Sequence, residues 1–420
     1  MPRHGLWRHS TAARPAVVNA GYPDPLPQRP RLRAPGTADG RWHRAGRTGR
    51  RRRSDSRPAP SAACGGDRSM STILHSLWRL VDHAAAELFP GYFAVIMATG
   101  ATSIACHLLG LTLVSWGLLG ANLLAYMALW SLTIIRLVRY PERLAGDMTN
   151  HARGPGFFTI VAGTCILGTQ FHLVADHDGI AAEFWWVGLT LWGIIMYLFF
   201  IAVTTRAEKP NLASGINGAW LLAAVSTHSV SILTALLPWS GPADLRLFFA
   251  LCMFLIGCML YLAIITLIFY RLTFLKVTVQ SLTPPYWINM GAVAIATLAG
   301  STLILRAGEG GVIADFRPFL LGFTVFFWAT ASWWFPLLVG LMLWRHLIRR
   351  HRIAYEPQLW SMVFPLAMYT TGTLRLSVAL EAPFLMGIPE MMIWLVLLAW
   401  TMTSAGMFHH FWRLARSATA

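Results

Sequence analysis

With 420 residues, 55% of them hydrophobic and only 12% charged, the chain lies far below the roughly 25% charged content of soluble domains. That excludes an ordinary soluble enzyme or binding module, and nineteen tryptophans suit a protein with many membrane interfaces to anchor. The formal charge of +16 is unevenly spread, because residues 1–69 hold fifteen arginines and four aspartates, with no lysine or glutamate.

In chain order, the tail 1–69 comes first. Stretches such as "RLRAPGTADGRWHRAGRTGRRRRSDSRPAP" have no apolar periodicity and bury too little surface to fold. It reads as a disordered basic arm for anionic lipid or nucleic acid, as a targeting peptide, or as sequence upstream of a start at Met70. No apolar run follows its twin arginines, which argues against a secretory signal. The start at Met70 is the reading adopted, and no nucleic-acid partner is expected. Residues 70–87, "MSTILHSLWRLVDHAAAE", form an amphipathic lead, 88–412 a ten-helix domain, and 413–420 a short tail.

A membrane span needs about 20 mostly apolar residues. Ten stretches meet that measure: 88–109, 113–137, 156–174, 182–204, 213–236, 245–270, 284–305, 317–343, 358–380 and 388–412. The expected fold class is an all-α integral membrane protein. One set of loops and ends carries fifteen basic residues, among them Arg136, Arg139, Arg206, Arg271, Arg345 and Arg352, against three (Arg246, Arg306, Arg317) on the other. Basic loops stay inside, so both termini are expected in the cytoplasm of a multi-pass cell-membrane protein.

Odd spans are rich in small and hydroxyl residues ("AVIMATGATSIA", "STHSVS", "MYTTGT"), whereas most even spans are bulky ("FWWVGLTLWGIIMYLFF"). Proline follows the same alternation. The pattern predicts an inner ring of five helices jacketed by five outer ones, a helical hairpin used five times. Two readings of the small residues stay open: hydroxyls lining a narrow wet path, or small side chains that allow close helix packing.

Five cysteines (Cys64, Cys106, Cys165, Cys252, Cys258) lack CxxC or zinc spacing. No metal, cofactor or disulfide is assigned. A haem-bearing subunit would need paired histidines at mid-membrane depth, and His228 alone is near it.

The segments "FPGYFAVIMATGATSIA", "PPYWINMGAVAIATLAG", "RPFLLGFTVFFWATASWWFPLL" and "LWSMVFPLAMYTTGT", by their order and spacing over roughly 85–412, resemble the tellurite-resistance/C4-dicarboxylate transporter family. That family includes the plant guard-cell slow anion channel, the yeast malate permease and the yeast sulfite efflux pump. The resemblance implies five hairpins around a central pore, passage of small anions, a homotrimer with one pore per subunit, and no enzymatic activity. It also implies a phenylalanine of the ninth helix that plugs the pore, here Phe364. "AMYTTGTLRL" looks closer to the malate branch than to the gated channels, so C4-dicarboxylates such as malate, or small inorganic anions, are the expected cargo. Tellurite or sulfite efflux is the alternative.

Pro365 deprives the Ser361 carbonyl of its helical partner; the resulting kink either turns Phe364 toward the axis as a constriction or leaves it a core phenylalanine beside a packing kink. Met368, Thr371 and Arg375 share its helical face, with Arg375 eleven residues, or about 16 Å, further along. Arg375 either attracts an anion at the external end or snorkels or pairs with Glu381. His228 either bonds a passing anion or makes an interhelical hydrogen bond. Thr99, Thr102, Ser103 and Thr164 are candidate path wall, with close packing as the competing reading.

Overall fold

The computed structural model describes residues 78–419 apart from 80, 239–241, 308–311 and 353. The basic tail 1–69 and the first part of the lead lie outside the described residues. Secondary structure among the described residues is helical throughout. Ten long helices carry the fold: α1 (Ala94–Leu108), α2 (Thr112–Arg139), α3 (Phe158–Leu173), α4 (Asp178–Thr205), α5 (Leu222–Leu236), α6 (Ala243–Phe274), α7 (Ile288–Arg306), α8 (Val312–Leu343), α9 (Trp360–Ala379) and α10 (Gly387–Thr419). Each overlaps one expected span, and α10 continues past 412 to Thr419, into the expected tail.

Nine helices among the described residues are long and apolar enough to cross a membrane. The long helix outside that number is α9, whose Thr370, Thr371, Thr373 and Arg375 dilute its apolar residues. Its 20 residues nonetheless reach about 30 Å, the thickness of a bilayer's hydrocarbon core. Burial explains the tolerated polarity. Seventeen of its residues are buried within the protein, where lipid does not reach them.

The odd helices pack in succession, α1 on α3, α3 on α5, α5 on α7 and α7 on α9, and α9 returns to α1 to close a five-membered ring. Each even helix packs back on the odd helix before it. The most apolar stretches of α1, α3, α5 and α7 are 83–94% buried, against 17–44% for the even helices. Small side chains let the inner backbones approach closely. The outer helices expose large apolar groups such as Leu124, Trp186 and Trp394, as a lipid-facing layer must.

A second repeat is finer. Each inner helix is preceded by a 3-10 turn: Pro90–Phe93, Gly154–Phe157, Gly218–Leu221, Pro284–Trp287 and Pro357–Leu359. Proline sits in the first two positions of all but the third, where the missing N–H is not needed by the helix. The five turns touch one another around a closed circuit, forming a collar at the end of the ring that carries most of the basic loops. Backbones meet closely there, and a Cβ on Gly156 would lie 2.8 Å from the Gly91 nitrogen. Both ends of the described chain emerge at this basic end.

Candidate functional site

The orientation of α9 follows from its bonds to the outer layer. Trp328 Nε1 donates to Thr373 Oγ1 at 3.0 Å, and the hydroxyls of Ser332 and Tyr369 are 2.8 Å apart. Tyr369 and Thr373 therefore mark the face turned to α8. At 100° per residue, Phe364, Met368, Thr371 and Arg375 all fall within about 60° of the opposite face, the one turned away from α8. Phe364, Met368 and Thr371 are each about 1% exposed, so the stripe is closed over at this depth. Pro365 turns to α7, where a Cβ on Gly291 would lie 2.7 Å from its Cγ. Thr371 Oγ1 donates to the Ala367 carbonyl at 3.0 Å, so its hydroxyl already has a backbone partner.

The stripe opens at the end remote from the collar. A cavity of about 340 Å³ there is bounded by His172 of α3, Leu236 of α5, Thr302 and Arg306 of α7, and Arg375 and Val378 of α9. Four of the five ring helices thus contribute, which puts the cavity on the ring's own axis. Arg306 donates to the Leu236 carbonyl at 3.3 Å. His172 Nδ1 lies 2.5 Å from Asp178 Oδ1. No ion pair joins Arg375 to Glu381 or to another described carboxylate. Two guanidinium groups therefore line one small cavity. Arg306 is the residue that sequence reasoning missed as a site group, because at the end of a span it reads as a loop charge. The available signal was its position at the last turn of an inner helix.

Four of the remaining five candidates meet the outer layer. Thr99 Oγ1 accepts from Trp400 Nε1 of α10 at 3.0 Å. Ser103 Oγ donates to the Ser115 carbonyl of α2 at 2.8 Å. Thr164 Oγ1 is 3.0 Å from the Tyr126 hydroxyl of α2. His228 packs against α6, where Cys258 Sγ lies 3.6 Å from its Nε2 and a Cβ on Gly257 would come within 2.6 Å of that nitrogen. Thr102 back-bonds to the Ala98 carbonyl at 2.8 Å. Four of these five side chains thus join the inner ring to the outer layer, which is the packing alternative for the small hydroxyl residues.

The same device recurs beyond the candidates. Trp192 of α4 donates to Thr227 at 2.9 Å and Trp185 to Thr234 at 2.7 Å. Several of the tryptophans are hydrogen-bond donors between the two layers. A buried indole N–H needs such a partner, and a threonine on the inner helix supplies it.

A closed ring of five inner helices, each backed by its own outer helix, and a two-arginine cavity on its axis can now be set beside known proteins. Residues 87–408 match the family model described as voltage-dependent anion channel. The chain belongs to that family. It is 40% identical over 151 residues to an uncharacterized membrane protein of Mycobacterium tuberculosis, covering 36% of this chain and 76% of the relative. It is 24% identical over 296 residues to an uncharacterized transporter of Methanocaldococcus jannaschii, covering 67% and 82%. A sulfite efflux pump of Trichophyton rubrum is 23% identical over 327 residues, covering 72% and 84%. The membership agrees with the resemblance read from the sequence and makes this family member a membrane protein of anion-channel and transporter type.

Proposed function

We propose that the chain conducts or carries small divalent anions along the axis of the five-helix ring. Arg306 and Arg375 gather the anion at the outer mouth, and Phe364 closes the path beneath them. The observation that carries the reading is the pair of guanidinium groups on one axial cavity of about 340 Å³, in line with a buried phenylalanine on the same helical face. Two fixed cations favour a dianion over chloride or nitrate, and a guanidinium presents the planar fork that suits a carboxylate. The uncompensated charge of Arg375 supports capture. The apolar plug below supports release rather than tight retention, because a conducting site must bind weakly enough to let go.

A C4-dicarboxylate such as malate is the leading cargo. Sulfite is the second reading, favoured by the match to fungal sulfite efflux pumps over 72% of this chain. In this proposal the basic collar end faces the cytoplasm of the cell membrane, both termini lie on that side, and three chains assemble with one path each. No chemistry is performed on the anion. The test is a flux assay in proteoliposomes across malate, sulfite, nitrate and chloride, with and without a proton gradient. Saturable malate or sulfite movement is expected, and absence of flux for all four anions under every gradient and voltage would overturn the reading.

A further inference from the structure

Four arginines are buried among the described residues: Arg136, Arg246, Arg271 and Arg345. Three are answered from within the chain. Arg136 donates to the Leu88 carbonyl and pairs with Asp147 at 2.7 Å. Arg246 donates to the carbonyls of Ala235, at 3.2 Å, and Leu237. Arg271 donates to the Ala213 carbonyl at 2.8 Å and lies over the Tyr286 ring. Arg345 differs. It is 6% exposed and its Nε, like that of Arg136, is buried without a hydrogen-bond partner, but unlike Arg136 its guanidinium has no carbonyl or carboxylate partner among the described residues. No ion pair joins its guanidinium to a described carboxylate. A cation so placed is strongly unfavourable unless an anion completes it.

Arg345 stands in a π-helical turn, Trp344–Ile348, that ends the α8 rod at the basic end. Such turns are rare and recur at functional sites. Arg345 lines a pocket of about 490 Å³ between α8, α9 and α10, away from the ring axis. The pocket has two characters. Phe335, Val339, Leu395 and Met402 make one wall apolar, while Arg345, Arg352 and His346 make the other end basic. Glu356 is the carboxylate among the described lining residues, and it is exposed to solvent. His346 Nδ1 is held 2.8 Å from the His351 carbonyl.

We propose that this pocket binds an anionic phospholipid, with the phosphate on Arg345 and Arg352 and one acyl chain along the apolar wall. Each part of the pocket demands its part of the ligand. A guanidinium fork offers paired N–H donors that a phosphate diester can accept. The apolar wall lies between two helices of the lipid-facing layer, so a chain enters sideways from the bilayer. Basic pockets between membrane helices suit such headgroups. A free phosphate would leave the apolar wall empty, and a helix from a second copy would leave Arg345 unanswered.

The experiment is native mass spectrometry of the full chain in detergent with added dioleoyl phosphatidylglycerol or dioleoyl phosphatidylcholine. The wild type should retain the anionic lipid about tenfold better, the scale of one charge-assisted hydrogen bond. Arg345→Gln should abolish that preference and Arg352→Gln should weaken it. Ala399→Trp should displace the lipid with both arginines intact, which keeps the test decisive if Arg345→Gln folds poorly. Lys209→Gln, which removes an exposed charge elsewhere, should leave the preference unchanged. Equal retention of the two lipids by the wild type would overturn the proposal, as would an equal loss in Lys209→Gln. So would full competition by glycerophosphate, or Ala399→Trp changing the subunit number while lipid retention stays the same.

Discussion

Replacing Phe364 by alanine separates a constriction from a packing residue, because the two roles predict opposite pairs of readouts. The ring is 1% exposed, so its removal leaves a void of roughly 100 Å³, at about 24 cal/mol per Å³ of cavity. Together with the lost transfer energy, a packing residue should therefore cost about 3–5 kcal/mol, with flux unchanged or reduced. A constriction behaves differently. The void would join the axial path about 16 Å below Arg375, water would fill it, and the cavity cost would shrink. Every 1.4 kcal/mol taken from a dewetting barrier raises conductance tenfold. We expect Phe364→Ala to raise anion flux at least tenfold in proteoliposomes, with a thermal midpoint that falls less than the packing value implies. Phe364→Leu should fall between. Unchanged or lower flux from a monodisperse, folded Phe364→Ala protein would refute the gate.

Four further outcomes follow from named contacts. Arg375→Gln should raise the half-saturating malate or sulfite concentration about tenfold to a hundredfold, the scale of a hydrogen bond to a charged group, read in the same flux assay. Gly257→Ala should destabilise by about 1–3 kcal/mol, since the new Cβ would sit 2.6 Å from His228 Nε2; a double-mutant cycle with His228→Ala, measured by denaturation, should show the two changes to be non-additive. Trp328→Phe should cost about 0.6–1.5 kcal/mol by loss of the N–H to Thr373, with a lower thermal midpoint and unaltered anion selectivity. His151, in the loop before α3, titrates below its ordinary value because it is partly buried and because Arg206 and Lys209 repel its protonated form. The unfolded chain takes up this proton first as pH falls below about 6.5. Stability should therefore be full above that pH and decline as pH drops toward the folded value. His151→Gln should flatten that part of the pH–stability curve.

The two-layer plan was legible in the sequence because it rests on side-chain size alone. Small residues recur in "AVIMATGATSIA" and "NMGAVAIATLAG", bulky ones in "FWWVGLTLWGIIMYLFF", and only one arrangement buries the first set behind the second. The direction of each hydroxyl was not legible. Thr99 meets Trp400 across 301 positions of chain and Thr164 meets Tyr126 across 38. A threonine that caps an indole and one that lines a path look the same in one dimension. The buried cations were hidden for the opposite reason. Arg345 reads as a loop charge because a basic loop follows it, yet the π turn returns it to the interior.

The α9 stripe stands between these cases. Its face could be worked out from helical spacing, but its direction needed Tyr369 and Thr373, whose bonds fix which side meets α8. Once that side is fixed, the polarity that keeps α9 from reading as an ordinary span has a place to go. Thr373 serves the outer helix and Arg375 the axial cavity. A lipid-facing helix of the same composition would leave its guanidinium in hydrocarbon, at a cost that only snorkelling could reduce. Within the ring, Arg375 instead shares a cavity with Arg306 of the neighbouring α7. Two like charges repel in so small a space, and in the proposed function a dianion drawn from solution offsets that repulsion. Under the proposed function the cavity is more favourable occupied than empty, which is the property the proposed capture site requires.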